Sequence, residues 1–131
     1  MVITFPLPLL AARPTQLYIN ERKLAALETR YPPGTKARME PVPVTRLHGA
    51  IAFTDGHTRA FLAWKRGLVE IAAYWDDSEL DIGTYLQCLD WCHQESIRTI
   101  ADLAGRIIDD ASYKVKWIAR CEALGLNKKE E

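Results

Sequence analysis

The sequence predicts an α+β fold, and three observations carry that prediction. Strand-like segments cluster in the first half around a single central helix. From Asp76 onward the hydrophobic period becomes helical. Glycine, proline and capping residues stand where one kind of element gives way to the other. The chain has 131 residues, which suits one domain or a small domain with a helical extension, and burial of roughly two thirds of the unfolded surface.

Val2 to Leu7 reads as an edge strand, because Pro6 and Pro8 would break a central ladder. Asn20 is placed to cap a helix over Glu21 to Arg30, with Leu24 and Leu27 facing inward, and Tyr31-Pro-Pro-Gly34 ends it. The stretch to Glu40 reads as loop. Val42 to Leu47 and Ala50 to Thr54 form a hairpin around His48-Gly49. Asp55-Gly56 then opens a helix from His57 to Arg66, whose apolar face is Ala60, Phe61 and Trp64 with Ala63 beside it, and Gly67 stops it. Leu68 to Trp75 is a further strand with Ile71, Ala73 and Trp75 on one face.

Asp81 can cap a helix to Glu95 with Tyr85, Leu89 and either Cys88 or Cys92 inward. Thr99-Ile-Ala-Asp102 has the form of a capping box and begins a short helix through Ile107. Asp109-Asp110 begins the last helix, which Gly125 ends, leaving Lys128 to Glu131 as a frayed tail.

Composition removes several classes of function. At 48% hydrophobic and 26% charged, the chain is neither disordered nor collagen-like. No apolar run approaches the ~20 residues that cross a bilayer, so no membrane role is expected. Met1 to Ala12 lacks a basic leader and is interrupted by prolines, which reads poorly as a signal peptide. Cys88, Cys92 and Cys121 are odd in number and fit a reducing cytoplasm. Cys88 and Cys92, four apart on one helix, could meet a metal, but no Cys-x-x-Cys knuckle completes a site, and buried free thiols are the expectation. Trp64, Trp75, Trp91 and Trp117 are spaced as core anchors of separate elements.

Charge is balanced overall and uneven along the chain. Residues 1–75 hold ten Lys/Arg against five Asp/Glu, and residues 76–131 hold seven against twelve. Neutrality disfavours a sequence-independent grip on DNA. The basic half suits a small phosphorylated ligand, or simply attracts the acidic half.

The chemistry concentrates in Phe53-Thr54-Asp55-Gly56-His57-Thr58-Arg59-Ala60. A strand here delivers an acidic residue and a glycine into a helix N-terminus, where outward amides and the helix dipole favour an anion. Gly56 lets a phosphate approach the main chain, Thr58 adds a hydroxyl, and Arg59 can make paired hydrogen bonds to phosphate. His57 can donate to phosphate or move a proton. Asp55 can hold Mg²⁺ or accept a proton from an attacking hydroxyl. The plainer alternative is that Asp55 caps the helix, Gly56 makes the turn, and His57 and Arg59 are solvated.

At these residues the chain resembles the ParB/sulfiredoxin superfamily. Asp55-Gly-His-Thr-Arg-Ala60 after a strand, the Gly67-Leu68 helix end and the strand Val69 to Tyr74 carry the likeness. Arg13-Pro-Thr-Gln-Leu17, Leu24 to Leu27 and Glu40-Pro-Val-Pro-Val44 extend it backward over roughly residues 10–75. The resemblance implies a nucleotide-binding core over residues 1–75, built on a small mixed sheet. Residues 76–131 would be a helical cap packed on it as one unit.

It also implies phosphate binding by Gly56, His57, Thr58 and Arg59, catalytic roles for Asp55 and His57, and Mg²⁺ with ATP, ADP or CTP. The activity implied is phosphoryl transfer to a small acceptor or nucleotide hydrolysis; a non-catalytic regulatory or DNA- or protein-binding module is the alternative. Sulfiredoxins need a cysteine where this chain has His57, so that repair chemistry is not expected. The superfamily's free-serine kinase has a similar Asp-Gly-His-His-Arg motif, but an acid in its opening segment where this chain has Thr15-Gln16; Glu21 and Glu40 are the substitutes at hand. Partition proteins add a helix-turn-helix. Thr99 to Cys121 has that outline, yet Asp109-Asp110 would face phosphates, so packing on the sheet is expected and DNA is the less favoured partner.

Overall fold

The computed structural model describes residues 2–34 and 39–125, and the fold is α+β. Residues 35–38 of the expected loop and the Lys128 to Glu131 tail lie outside the described residues. A five-stranded mixed sheet has the order β1-β6-β4-β5-β2, with β1 at Phe5–Pro8, β2 at Ala12–Arg13, β4 at Val42–Leu47, β5 at Ala50–Phe53 and β6 at Glu70–Trp75. The β1/β6 and β4/β5 pairs are antiparallel, whereas β4/β6 and β2/β5 are parallel. Two further short strands, β3 (Ile19–Asn20) and β7 (Ile107–Ile108), pair in parallel.

The prolines of β1 lie on an edge strand, as their missing N–H groups require. Central β4 also contains a proline, Pro43, whose carbonyl accepts from Thr54 N–H at 3.1 Å. The hairpin turns at His48 (φ +50°) and Gly49 (φ +79°), the left-handed pair that matches strand twist.

Caps fix the helices. Asn20 Oδ1 accepts from Arg22 N–H at 2.9 Å at the start of α1 (Glu21–Arg30), and Asp81 Oδ1 from Thr84 N–H at 3.2 Å at the start of α3 (Ile82–Gln94). Helix α2 (His57–Lys65) closes in a Schellman pattern, Gly67 N–H to Trp64 O at 2.9 Å and Leu68 N–H to Ala63 O at 3.1 Å.

One hydrophobic cluster runs through both halves of the chain, from Leu7 and Leu17 through Phe53 and Phe61 to Ile100, Leu103, Trp117 and Cys121. Truncating an aromatic such as Phe53, fully buried here, costs about 3–5 kcal/mol in cores of this kind. A second cluster joins Leu47 and Ala52 of the hairpin to Tyr85 of α3, with Leu80, Leu86 and Leu89 packed against it.

Several elements depart from the sequence expectation. The capping box at Thr99 is present, but it opens a 3-10 turn over Ile100–Leu103 rather than a helix through Ile107. Ile107–Ile108 is instead the strand β7. The last helix begins after Asp109 as α4 (Asp110–Tyr113), widens to a π-helix over Lys114–Ile118, and ends as α5 (Ala119–Ala123). Trp75 is 45% exposed rather than a core anchor: it ends β6, stacked on Phe5 with the Arg46 guanidinium over its face. Trp117 is fully buried, edge-on to Trp91.

Candidate functional site

The β5–α2 turn is held at one residue by three hydrogen bonds. Besides the bond from its N–H to Pro43, the Thr54 hydroxyl donates to Asp76 Oδ2 at 2.7 Å, and its carbonyl accepts from the Tyr85 hydroxyl at 3.2 Å. Strands β4 and β6 and helix α3 therefore all fix where the turn begins. Asp55 Oδ1 then accepts from Gly56 N–H at 2.9 Å. The first internal bond of α2 runs from Ala60 N–H to Gly56 O, which places the amides of residues 57–59 at the positive end of the helix dipole.

Gly56 has φ +74°, a left-handed conformation that side chains disfavour. Space is equally restrictive. A Cβ there would stand 2.7 Å from Val42 Cγ1 and 3.0 Å from Arg59 Nη2. The Arg59 guanidinium thus lies directly against the glycine's bare face. Its side chain is only 14% exposed, and its Nη1 is 3.4 Å from Glu40 Oε2. Glu40 also pairs with Arg30. Of the two acids weighed as substitutes, Glu40 is the one that reaches the turn's arginine, while Glu21 is an exposed residue at the start of α1.

The structure separates the five expected site residues by orientation. Asp55, Gly56 and Arg59 gather at the turn. His57 and Thr58 are buried, at 0% and 1% exposure. His57 Nε2 accepts the backbone N–H of Thr15 at 2.9 Å, and the Thr15 hydroxyl donates to Phe53 O at 2.7 Å. This bond fixes His57 with Nε2 unprotonated. Thr15 and Gln16 are buried and serve the backbone: Gln16 Nε2 donates to Tyr18 O at 2.8 Å.

Two further groups complete the surroundings, and sequence reasoning did not single them out for the site. Desolvation is the largest single influence on Asp76 and raises it. The Ser78 hydroxyl, the Thr54 hydroxyl and the Ser78 amide together outweigh it and hold the carboxyl below its ordinary value. Tyr85 is pushed up to about 12, first by burial and then by the negative charges of Asp55 and Asp76. The available signal was positional: Asp76 directly follows the strand after the motif, and Tyr85 lies on the inward face of the next helix.

Among the described residues, no three Asp, Glu, His or Cys side chains gather as a metal cage. Cys88, Cys92 and Cys121 are buried in the core and form no disulfide among the described residues. The Thr99 to Cys121 segment packs its Ile100, Leu103, Trp117 and Cys121 into the common cluster, and β7 occupies the place of a helix-turn-helix turn. No described helix is long and apolar enough to cross a membrane.

No protein-family model and no curated protein matches the chain. Among solved structures, it is similar to protein Atu1540 from Agrobacterium tumefaciens, with 15% identity over 94% of this chain and 69% of that one, at a TM-score of 0.55. A sulfiredoxin from Arabidopsis thaliana aligns at 21% identity over 58% of this chain and 86% of its own, at a TM-score of 0.44. The likeness to Atu1540 covers nearly the whole chain and is a likeness of fold.

Proposed function

We propose that the chain binds the phosphates of a nucleotide at the Asp55–Arg59 turn and catalyses phosphoryl transfer or nucleotide hydrolysis there. The observation that carries this reading is the contact of the Arg59 guanidinium with the bare face of Gly56 at the positive end of α2. Val42 and Arg59 already fill that face, so a phosphate would approach from the solvent side of the turn and meet the guanidinium and the helix N-terminal amides there. The Asp-Gly-His-Thr-Arg resemblance supports the same reading.

Within it, Asp55 accepts the proton of the attacking hydroxyl, and Arg59 neutralises charge on the transferred group. His57 is a positioning residue, since its Nε2 is committed to the Thr15 amide. Alternatively, Asp55 would hold a Mg²⁺ arriving with the phosphates in place of the base role: the ion needs only one or two protein carboxylates, and the half-buried Asp55 fits that demand. Bound there, the ion would supply further charge neutralisation.

A second reading, nucleotide binding without turnover, is favoured by one feature. Thr15 and Gln16 are buried and hydrogen-bonded where the serine kinase has an acid.

The test is a thermal-shift panel of ATP, ADP, CTP and GTP with Mg²⁺, followed by phosphate release. A ligand at a hundredfold its Kd stabilises the native state by about 2.7 kcal/mol. At least one nucleotide should do so, and Arg59→Ala should abolish the shift. Asp55→Asn should keep the shift and stop release. A wild-type shift without release supports the second reading, and no shift with any nucleotide rejects both.

A further inference from the structure

At the other end of the β4–β5 hairpin, away from the Asp55–Arg59 turn, lies a cleft of about 320 Å³ lined by Arg13, Leu47, His48, Ala50 and one face of α3. The α3 contribution is Leu86, Leu89, Asp90 and His93, spaced three, four and seven residues from the first, so they form one stripe of the helix. The volume is at the low end of the ~300–1,000 Å³ that small-molecule sites span. That suits a small organic ligand better than a nucleotide.

The lining is divided chemically. Leu47, Ala50, Leu86 and Leu89 supply an apolar floor continuous with the second hydrophobic cluster. The rim carries Arg13 from edge strand β2, His48 from the hairpin tip and His93 from α3. None of these three side chains makes a hydrogen bond or ion pair among the described residues. Asp90, the rim's one carboxylate, accepts from Gln94 Nε2 at 2.7 Å instead of pairing with Arg13. His48 is also held at φ +50°, a left-handed hairpin position usually filled by Asn, Asp or Gly. Here it sets an imidazole at the cleft mouth.

A half-buried guanidinium and two imidazoles that line one cleft with a leucine floor complement an anion with an aliphatic body. We propose that this cleft is a second ligand site, for a small organic carboxylate whose head is held by Arg13 and whose chain packs on Leu86 and Leu89. It is separate from the phosphate turn and does not depend on the function proposed for it.

The probe is hexanoate, with hexylamine as the same body bearing the opposite charge, followed by backbone amide NMR of the full chain. Hexanoate should give saturable shifts clustered at Arg13, Ala50, Leu86, Leu89 and His93, and hexylamine should not. Arg13→Gln should weaken hexanoate about tenfold, the loss of one charge-assisted hydrogen-bonding head. Arg59→Ala should leave it unchanged. Leu89→Asp, an independent variant at the floor, should also abolish binding, with a retained melting transition confirming that each variant folds. The proposal is overturned if hexanoate gives no saturable shift, if hexylamine binds as well, if the shifts map to residues 55–59, or if folded Arg13→Gln binds as wild type does.

Discussion

The backbone N–H of Thr15 donates to Nε2 of His57 at 2.9 Å, joining residues 42 positions apart. With the Thr15 hydroxyl on Phe53 O, it ties the opening segment to both sides of the β5–α2 turn. Removing the imidazole strands a buried amide and leaves a cavity. His57→Ala should lose about 3 kcal/mol in urea unfolding, and His57→Gln, whose amide oxygen can accept, should lose less. Equal losses would assign the cost to packing alone.

Gly56 is constrained twice, by its left-handed φ and by Val42 Cγ1 at 2.7 Å from where a Cβ would stand. Gly56→Ala should cost about 3 kcal/mol, combining left-handed strain with overpacking. Only the second part involves Val42. A double-mutant cycle with Val42→Ala should therefore recover about 1 kcal/mol of coupling, and strict additivity would mean that the clash relaxes without cost.

The long periodic elements were legible in the sequence, because their signals are local. The cap at Asn20, the hairpin turn at His48-Gly49 and the helix end at Gly67 each stand within a few residues of the bonds they make. The two-residue strands β2, β3 and β7 were not legible. Two residues display no alternation, and the β3–β7 pairing joins Ile19 to Ile107 through tertiary packing. The π-helix at Lys114–Ile118 likewise has no sequence period of its own. At the site, the turn and its glycine were legible, but the inward rotation of His57 was read as outward. The signal was available: His57 stands three, four and seven residues before Ala60, Phe61 and Trp64, on the same apolar stripe of α2.

Thr54 is 2% exposed, and its hydroxyl helps hold the Asp76 carboxyl below its ordinary value of 3.8. A depressed carboxylate stabilises the fold above its unfolded pKa, and that contribution is lost as pH falls through the folded pKa. Thr54→Val should therefore cost about 1.5 kcal/mol at neutral pH, the scale of a hydrogen bond to a charged group. The gap between variant and wild type should narrow as pH drops below 3.8. Urea midpoints across acid pH measure it, and a gap independent of pH would remove Asp76 from the explanation.

Tyr85 behaves in the opposite sense. Burial and the charges of Asp55 and Asp76 push its phenol to about 12 from an ordinary 10.0. The native state favours the neutral form, so this contribution is present below 10.0 and disappears as pH rises through about 12. Ultraviolet titration of the folded protein should contain a tyrosine ionising near that upper value, and Tyr85→Phe should eliminate it. The same variant should lose about 1 kcal/mol at neutral pH, because the Thr54 carbonyl loses its phenol donor.

Glu40 competes with any anion for Arg59. Its Oε2 is 3.4 Å from Arg59 Nη1, and its side chain is 55% exposed, so the pair is partly screened by solvent. Breaking such a pair costs about 0.2–1 kcal/mol, which sets the penalty an incoming phosphate faces before it engages the guanidinium. If the turn binds a nucleotide as proposed, Glu40→Gln removes that penalty and should raise the affinity up to about fivefold, read as a larger thermal shift at fixed ligand concentration. The effect should shrink with added salt, as attraction between exposed charges does. If Glu40 instead takes part in the proposed chemistry, the same substitution should also stop phosphate release while binding tightens. Weaker binding in Glu40→Gln would mean that the carboxylate orients Arg59 for the phosphate rather than opposing it.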